Sequence, residues 1–129
     1  MFHIVDDDET IRKVLVAMFQ SFGVEVRAFR CPSEYMEHMN AAEYRSPIAI
    51  FSDVQMPKMN GYDFMHRVRQ IEPIQKFVMI TGAADIEHEK KNLACMYLSK
   101  PFRRDSLKDA VDLLIQCENS CNSEKIEIS

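Results

Sequence analysis

Short apolar runs alternate along the chain with stretches whose apolar residues recur every three to four positions. Phe2 to Val5 (FHIV) is an apolar run that stops at Asp6, Asp7, Asp8 and Glu9, the pattern of a buried strand delivering acids at its carboxyl end. From Thr10 onward Ile11, Val14, Leu15, Met18, Phe19 and Phe22 follow helical spacing, and Gly23 supplies the stop. Val24, Val26 and Ala28 alternate with Glu25 and Arg27, which predicts an edge strand with one well-buried face; Pro32 and Ser33 then open a second helix. Ile48 to Phe51 form a continuous apolar run, as in a parallel strand covered on both faces, and lead into Ser52 and Asp53.

The second half repeats the pattern. Asn60 and Gly61 open a helix carrying Phe64, Met65, Val68 and Ile71, and Lys76 to Ile80 is a fourth strand ending at Thr81 and Gly82. A polar helix is predicted around 85–92, a fifth strand over Cys95 to Leu98 ending at Lys100 and Pro101, and a last amphipathic helix over Ser106 to Cys117. Strict alternation of this kind predicts an α/β fold, a doubly wound five-stranded parallel sheet with helices on both faces and right-handed crossovers.

Composition narrows the class without changing the fold. A chain of 129 residues fits one domain, here 1–117, with the polar residues 118–129 as a tail or the start of a linker. With 47% hydrophobic and 28% charged residues the chain reads as an ordinary globular protein. A net charge of -4 and the lack of a basic run argue against direct nucleic acid binding. No apolar run approaches the roughly 20 residues that span a bilayer, so no membrane segment and a cytoplasmic location are expected. Cys31, Cys95, Cys117 and Cys121 are scattered and read as reduced thiols. His3, His38, His66 and His88 lack metal spacing and receive no catalytic role, and most of the methionines fall where a core would take them.

Ligands of such sheets bind beyond the carboxyl ends of the strands, where this sequence puts Asp6 and Asp7, Asp53, Thr81 and Lys100. Carboxylates gathered there repel one another unless a cation sits among them, and oxygen-only ligation suits Mg²⁺. A carboxylate can attack the phosphorus of a donor while Mg²⁺ and an ammonium such as that of Lys100 neutralise charge on the phosphoryl oxygens. The Thr81 hydroxyl is placed to donate a hydrogen bond to the arriving group. Asp8 and Glu9 extend the acidic run toward a helix start, where acids favour the dipole.

Four blocks, IVDDDETIR at 4–12, SDVQMPKMNG at 52–61, ITG at 80–82 and YLSKPF at 97–102, resemble those of response regulator receiver domains, over about residues 1–117. The resemblance implies a flavodoxin-like strand order of 2-1-3-4-5 and a phosphoacceptor at Asp53. It implies Asp6 and Asp7 as the acidic pair, with Asp7 binding the metal directly and Gln55 a ligand through its backbone carbonyl. Thr81 and Lys100 would contact the phosphoryl group, Thr81 and Tyr97 would form the switch, and the Lys100–Pro101 bond would be cis. The implied donor is a histidine kinase or phosphotransfer protein; the output is another domain or a homodimer through the face from the fourth to the fifth predicted helix. Gln55 and Ala83 would flank the water that attacks the acyl phosphate.

One segment departs from the pattern: 18 residues separate Thr81 from Lys100, about one helical turn fewer than the family spacing, with Leu93 and Met96 where glycines often stand. The fourth predicted helix is therefore short or rearranged, and an ordinary dimer through it is in doubt. Two other readings compete with the switch. A metal-dependent phosphohydrolase would want a second acid near Asp53, where Gln55 stands, and a vestigial interaction module would not need the full set of acids, Thr81 and Lys100.

Overall fold

The computed structural model describes residues 1–81, 96–99 and 103–119, the last three by backbone alone. The elements run β1 (Phe2–Val5), α1 (Glu9–Ser21), β2 (Val26–Phe29), α2 (Pro32–Met39), β3 (Ile50–Asp53), α3 (Gly61–Ile71), β4 (Phe77–Thr81), β5 (Met96–Ser99) and α4 (Arg104–Asn119). The strands form one sheet in the order β2-β1-β3-β4-β5, with every neighbouring pair parallel. This is the expected order, with β2 at an edge.

Alternation along the strands divides the apolar residues between two faces, because successive side chains of a strand point to opposite sides. Phe2, Ile4, Phe51, Val78 and Ile80 pack with Leu15 and Phe19 of α1 and with Leu107, Val111 and Leu114 of α4. Val5, Ile50, Phe77 and Met79 pack on the other face with Tyr35 of α2 and with Phe64, Met65 and Val68 of α3. Met65, Met79 and Met96 are buried, as the core reading of the methionines expects.

Local chemistry fixes the helix ends. Asp8 caps α1, its carboxylate accepting from the Thr10 and Ile11 amides at 2.9 and 3.2 Å, while Gly23 follows the helix at φ +78°, a conformation glycine adopts at no steric cost. Asn60 caps α3 by accepting from the Asp63 amide at 2.9 Å.

Boundaries move by one or two residues from the apolar runs. Strand β3 begins at Ile50 and ends on Asp53 itself, because Asp53 pairs with Ile80 of β4, whereas the Ile48 amide bonds the Met1 carbonyl at 2.8 Å. Strand β5 ends at Ser99, paired with Thr81, and α4 runs from Arg104 to Asn119, two residues beyond Cys117. The polar helix at 85–92, Gly82, Ala83, Cys95, Lys100, Pro101 and the segment 120–129 lie outside the described residues. Among the described residues no helix is long and apolar enough to cross a membrane.

Candidate functional site

The site forms where β1 and β3 end side by side. Val5 pairs with Ser52, so Asp6 leaves the sheet next to Asp53, and the Asp6 amide is held by the Phe29 carbonyl of β2 at 3.2 Å. Asp6, Asp7 and Asp53 each offer a carboxylate oxygen, all within 4.8 Å of one another. Asp6 is wholly buried and Asp53 is 6% exposed, while Asp7 lies open to solvent. Two buried carboxylates with a third at the mouth are costly unless a cation compensates them, and an oxygen-only donor set with one solvent-facing ligand fits a hard divalent ion that keeps some of its water.

Neighbouring residues shape this rim. Thr81, 2% exposed, closes β4 one position beyond the Asp53 partner Ile80. Gln55 follows Asp53 in the next loop, its amide donating to Asp53 Oδ1 at 3.4 Å. That loop is pinned at both ends, by the Val54 amide on the Ile80 carbonyl at 3.2 Å and the Gly61 amide on the Val54 carbonyl at 2.8 Å. Lys58 inside it sits at φ +71°. Tyr97, half-buried on β5, packs against the core shared with α2 and α3. Of the residues singled out from sequence, Asp6, Asp7 and Asp53 are brought together, with Gln55 and Thr81 adjoining Asp53 and its β4 partner; Lys100 and Pro101 lie outside the described residues.

The β1–α1 turn carries two contacts that the sequence patterns did not single out. The Asp8 amide donates to Asp6 Oδ1 at 2.9 Å, and Arg12 Nη1 donates to the Asp6 main-chain oxygen at 2.8 Å. The signal for Arg12 was its place at the end of the acidic block, one turn inside the helix.

Histidines scattered in sequence also meet. His3 is 1% exposed, its Nδ1 lies 2.9 Å from the Tyr35 hydroxyl, and that hydroxyl lies 3.0 Å from Tyr44 Oη. His38 stacks edge-on to His3 with ring centroids 5.9 Å apart. Burial, with the nearby His38, Arg27 and N-terminal charges, pushes the His3 pKa down to about 4. Burial and the Tyr44 hydroxyl push the Tyr35 phenol well above its usual range. This cluster of His3, Tyr35, His38 and Tyr44 lies beneath α2.

A doubly wound sheet of order 2-1-3-4-5 with an acidic cluster able to hold a cation at the ends of β1 and β3 defines a class of domain, and comparison with known proteins supplies the family. The response regulator receiver domain model matches residues 2–112, and the chain belongs to that family of two-component signalling domains. The response regulator protein TodT of Pseudomonas putida is 26% identical over 114 residues, covering 86% of this chain and 49% of that protein. The DNA-binding transcriptional regulator NtrC of Klebsiella pneumoniae is 29% identical over 115 residues, covering 87% of this chain and 24% of NtrC. The chain thus spans about half the length, or less, of these relatives. A receiver domain from Clostridium thermocellum shares the fold with a TM-score of 0.81 at 23% identity, covering 94% of this chain and 98% of that one.

Proposed function

We propose that the chain is a phosphoacceptor switch whose acceptor is Asp53. The observation that carries this reading is the convergence of the Asp6, Asp7 and Asp53 carboxylates within 4.8 Å, two of them buried, at the ends of adjacent strands. A carboxylate oxygen of Asp53 attacks the phosphorus of a phosphohistidine on a kinase or phosphotransfer protein, or of a small acyl phosphate. The bond from phosphorus to the donor atom breaks, and the leaving group departs with its electron pair.

Asp6, Asp7, Asp53 and the Gln55 backbone carbonyl would hold Mg²⁺, which when bound neutralises charge on the phosphoryl oxygens. Thr81 donates its hydroxyl to a phosphoryl oxygen, and Lys100 supplies an ammonium to another. As Thr81 moves toward the acyl phosphate, Tyr97 follows, which biases the surface around β5 and the 85–92 segment toward its output-competent form. The chain catalyses only its own phosphorylation and dephosphorylation.

A cytoplasmic histidine kinase or phosphotransfer protein fits as donor. Output through a further domain is supported by the NtrC relative, a DNA-binding regulator of which this chain matches only 24%; a homodimer through the same face is the other form of output.

Incubation with acetyl phosphate and Mg²⁺ followed by intact-mass measurement tests the reading. One added phosphoryl group on the native chain and none on Asp53→Asn is the expected result. No Mg²⁺-dependent gain on the native chain overturns it, and continuous phosphate release from unrelated monoesters would mark a hydrolase instead.

A further inference from the structure

Asp6 and Asp7 are consecutive, yet one carboxylate is buried against the sheet end and the other lies at the open mouth, and both reach the same point. Their relative direction is set by the peptide plane that joins them. The carbonyl of that plane is the Asp6 oxygen, and Arg12 Nη1 donates to it at 2.8 Å. Arg12 reaches back from a rigid base, since its own amide closes the first turn of α1 on the Asp8 carbonyl at 2.9 Å. The Asp8 amide on Asp6 Oδ1 fixes the side chain of Asp6 from the other direction.

We propose that Arg12 is a positioning residue for cation binding: its guanidinium holds the Asp6–Asp7 peptide plane so that both carboxylates face one divalent ion. The inference rests on reading the acids as a Mg²⁺ site. Arg12 bonds a main-chain carbonyl rather than a carboxylate, so it orients the ligands without competing with the ion for their oxygens. Hydrogen-bond partners of metal ligands act in this way, by lowering the cost of arranging the donors before the ion arrives. A guanidinium suits the task because its planar fork is pre-organised, whereas a lysine ammonium can donate to the same carbonyl from a less fixed stem.

The test is calorimetric titration of MgCl₂ into the full chain, with the backbone amide shifts of Asp7 and Asp8 as a second readout. It compares the native chain with Arg12→Ala, Arg12→Gln and Arg12→Lys, and with Lys13→Ala, which removes an exposed ion pair with Glu9 on the same helix. Arg12→Ala is expected to weaken Mg²⁺ binding on the order of tenfold, the scale for losing an outer partner of a metal ligand. Arg12→Lys should recover part of the loss, and Lys13→Ala should bind as the native chain does.

Equal affinity in the native chain and the Arg12 variants overturns the proposal. So does an equal weakening in Arg12→Ala and Arg12→Lys with matching loss of thermal stability, which marks a general packing defect. If Arg12→Ala does not fold, Arg12→Gln against Arg12→Lys decides by the same criteria. If the native chain itself takes up no Mg²⁺, the metal-site reading fails. Asp7 and Asp8 amide shifts that match between the metal-free native and Arg12→Gln chains then overturn the positioning role as well.

Discussion

Gly61 lies so close to Asp53 that a Cβ built on it would stand 2.5 Å from the Asp53 main-chain oxygen and 3.0 Å from the Val54 Cα. The first residue of α3 therefore packs its bare backbone against the strand end that presents Asp53, the proposed acceptor. Both contacts are backbone, which cannot swing aside as a side chain would. Gly61→Ala is expected to cost about 1–3 kcal/mol, as overpacking does, and to slow phosphorylation by displacing Asp53. Urea unfolding and the rate of mass gain with acetyl phosphate measure the two effects; a variant as stable and as fast as the native chain would contradict this.

Charge repulsion among the acids gives a second expectation. Asp53→Asn removes one of three clustered carboxylates, two of them buried, and should raise stability in the absence of divalent ions by on the order of 1–3 kcal/mol. Mg²⁺ should raise the Tm of the native chain and raise that of Asp53→Asn much less. Thermal melts with and without MgCl₂ provide the check, and a less stable metal-free variant would argue against repulsion.

Asp8 separates capping from ligation. Its carboxylate serves the Thr10 and Ile11 amides, while its own amide, untouched by side-chain truncation, holds Asp6. Asp8→Ala should cost about 1 kcal/mol of stability and Asp8→Asn much less, with Mg²⁺ affinity close to native in both. A loss of Mg²⁺ binding in Asp8→Asn as large as in Asp7→Asn would show that Asp8 is a ligand.

Acid should loosen the core beneath α2. The folded His3 pKa is about 4, below the ordinary 6.5, so between those values the unfolded chain binds the extra proton and unfolding is favoured as pH falls. Stability from this group is fully present above about pH 6.5, declines toward pH 4, and amounts to roughly 3 kcal/mol. Urea midpoints across that window should fall more steeply for the native chain than for His3→Gln, which cannot titrate; parallel slopes would rule His3 out as the cause.

Sequence pattern carried the elements because each apolar run is buried by a helix whose own period is clear, as with Ile4 against Leu15 and Phe19. It placed the ends less well, since pairing rather than hydrophobicity decides where a strand stops; Asp53 is polar and still belongs to β3 through Ile80. The acids were legible because strand ends converge in this topology. The closeness of Gly61 to Asp53 and the bond from Arg12 to the Asp6 carbonyl were not, because both depend on the path of a loop or turn that no periodicity describes. The burial of His3 was hidden by its polar name inside an apolar strand, where Tyr35 satisfies it.

The pairing of β1 with β3, which sets His3 beside Ile50 and Val5 beside Ser52, joins parts of the chain far apart in sequence. Such non-local pairing comes late and slowly, since the intervening loop must be closed first. A slip of one residue would also turn His3 and Val5 to the wrong face. Asp53 in a half-folded or misregistered chain is therefore an ordinary aspartate, without Asp6 and Asp7 beside it. Phosphoryl acceptance at Asp53, as proposed, would double as proofreading of the fold, because only molecules with a correctly seated central strand bring the three acids together.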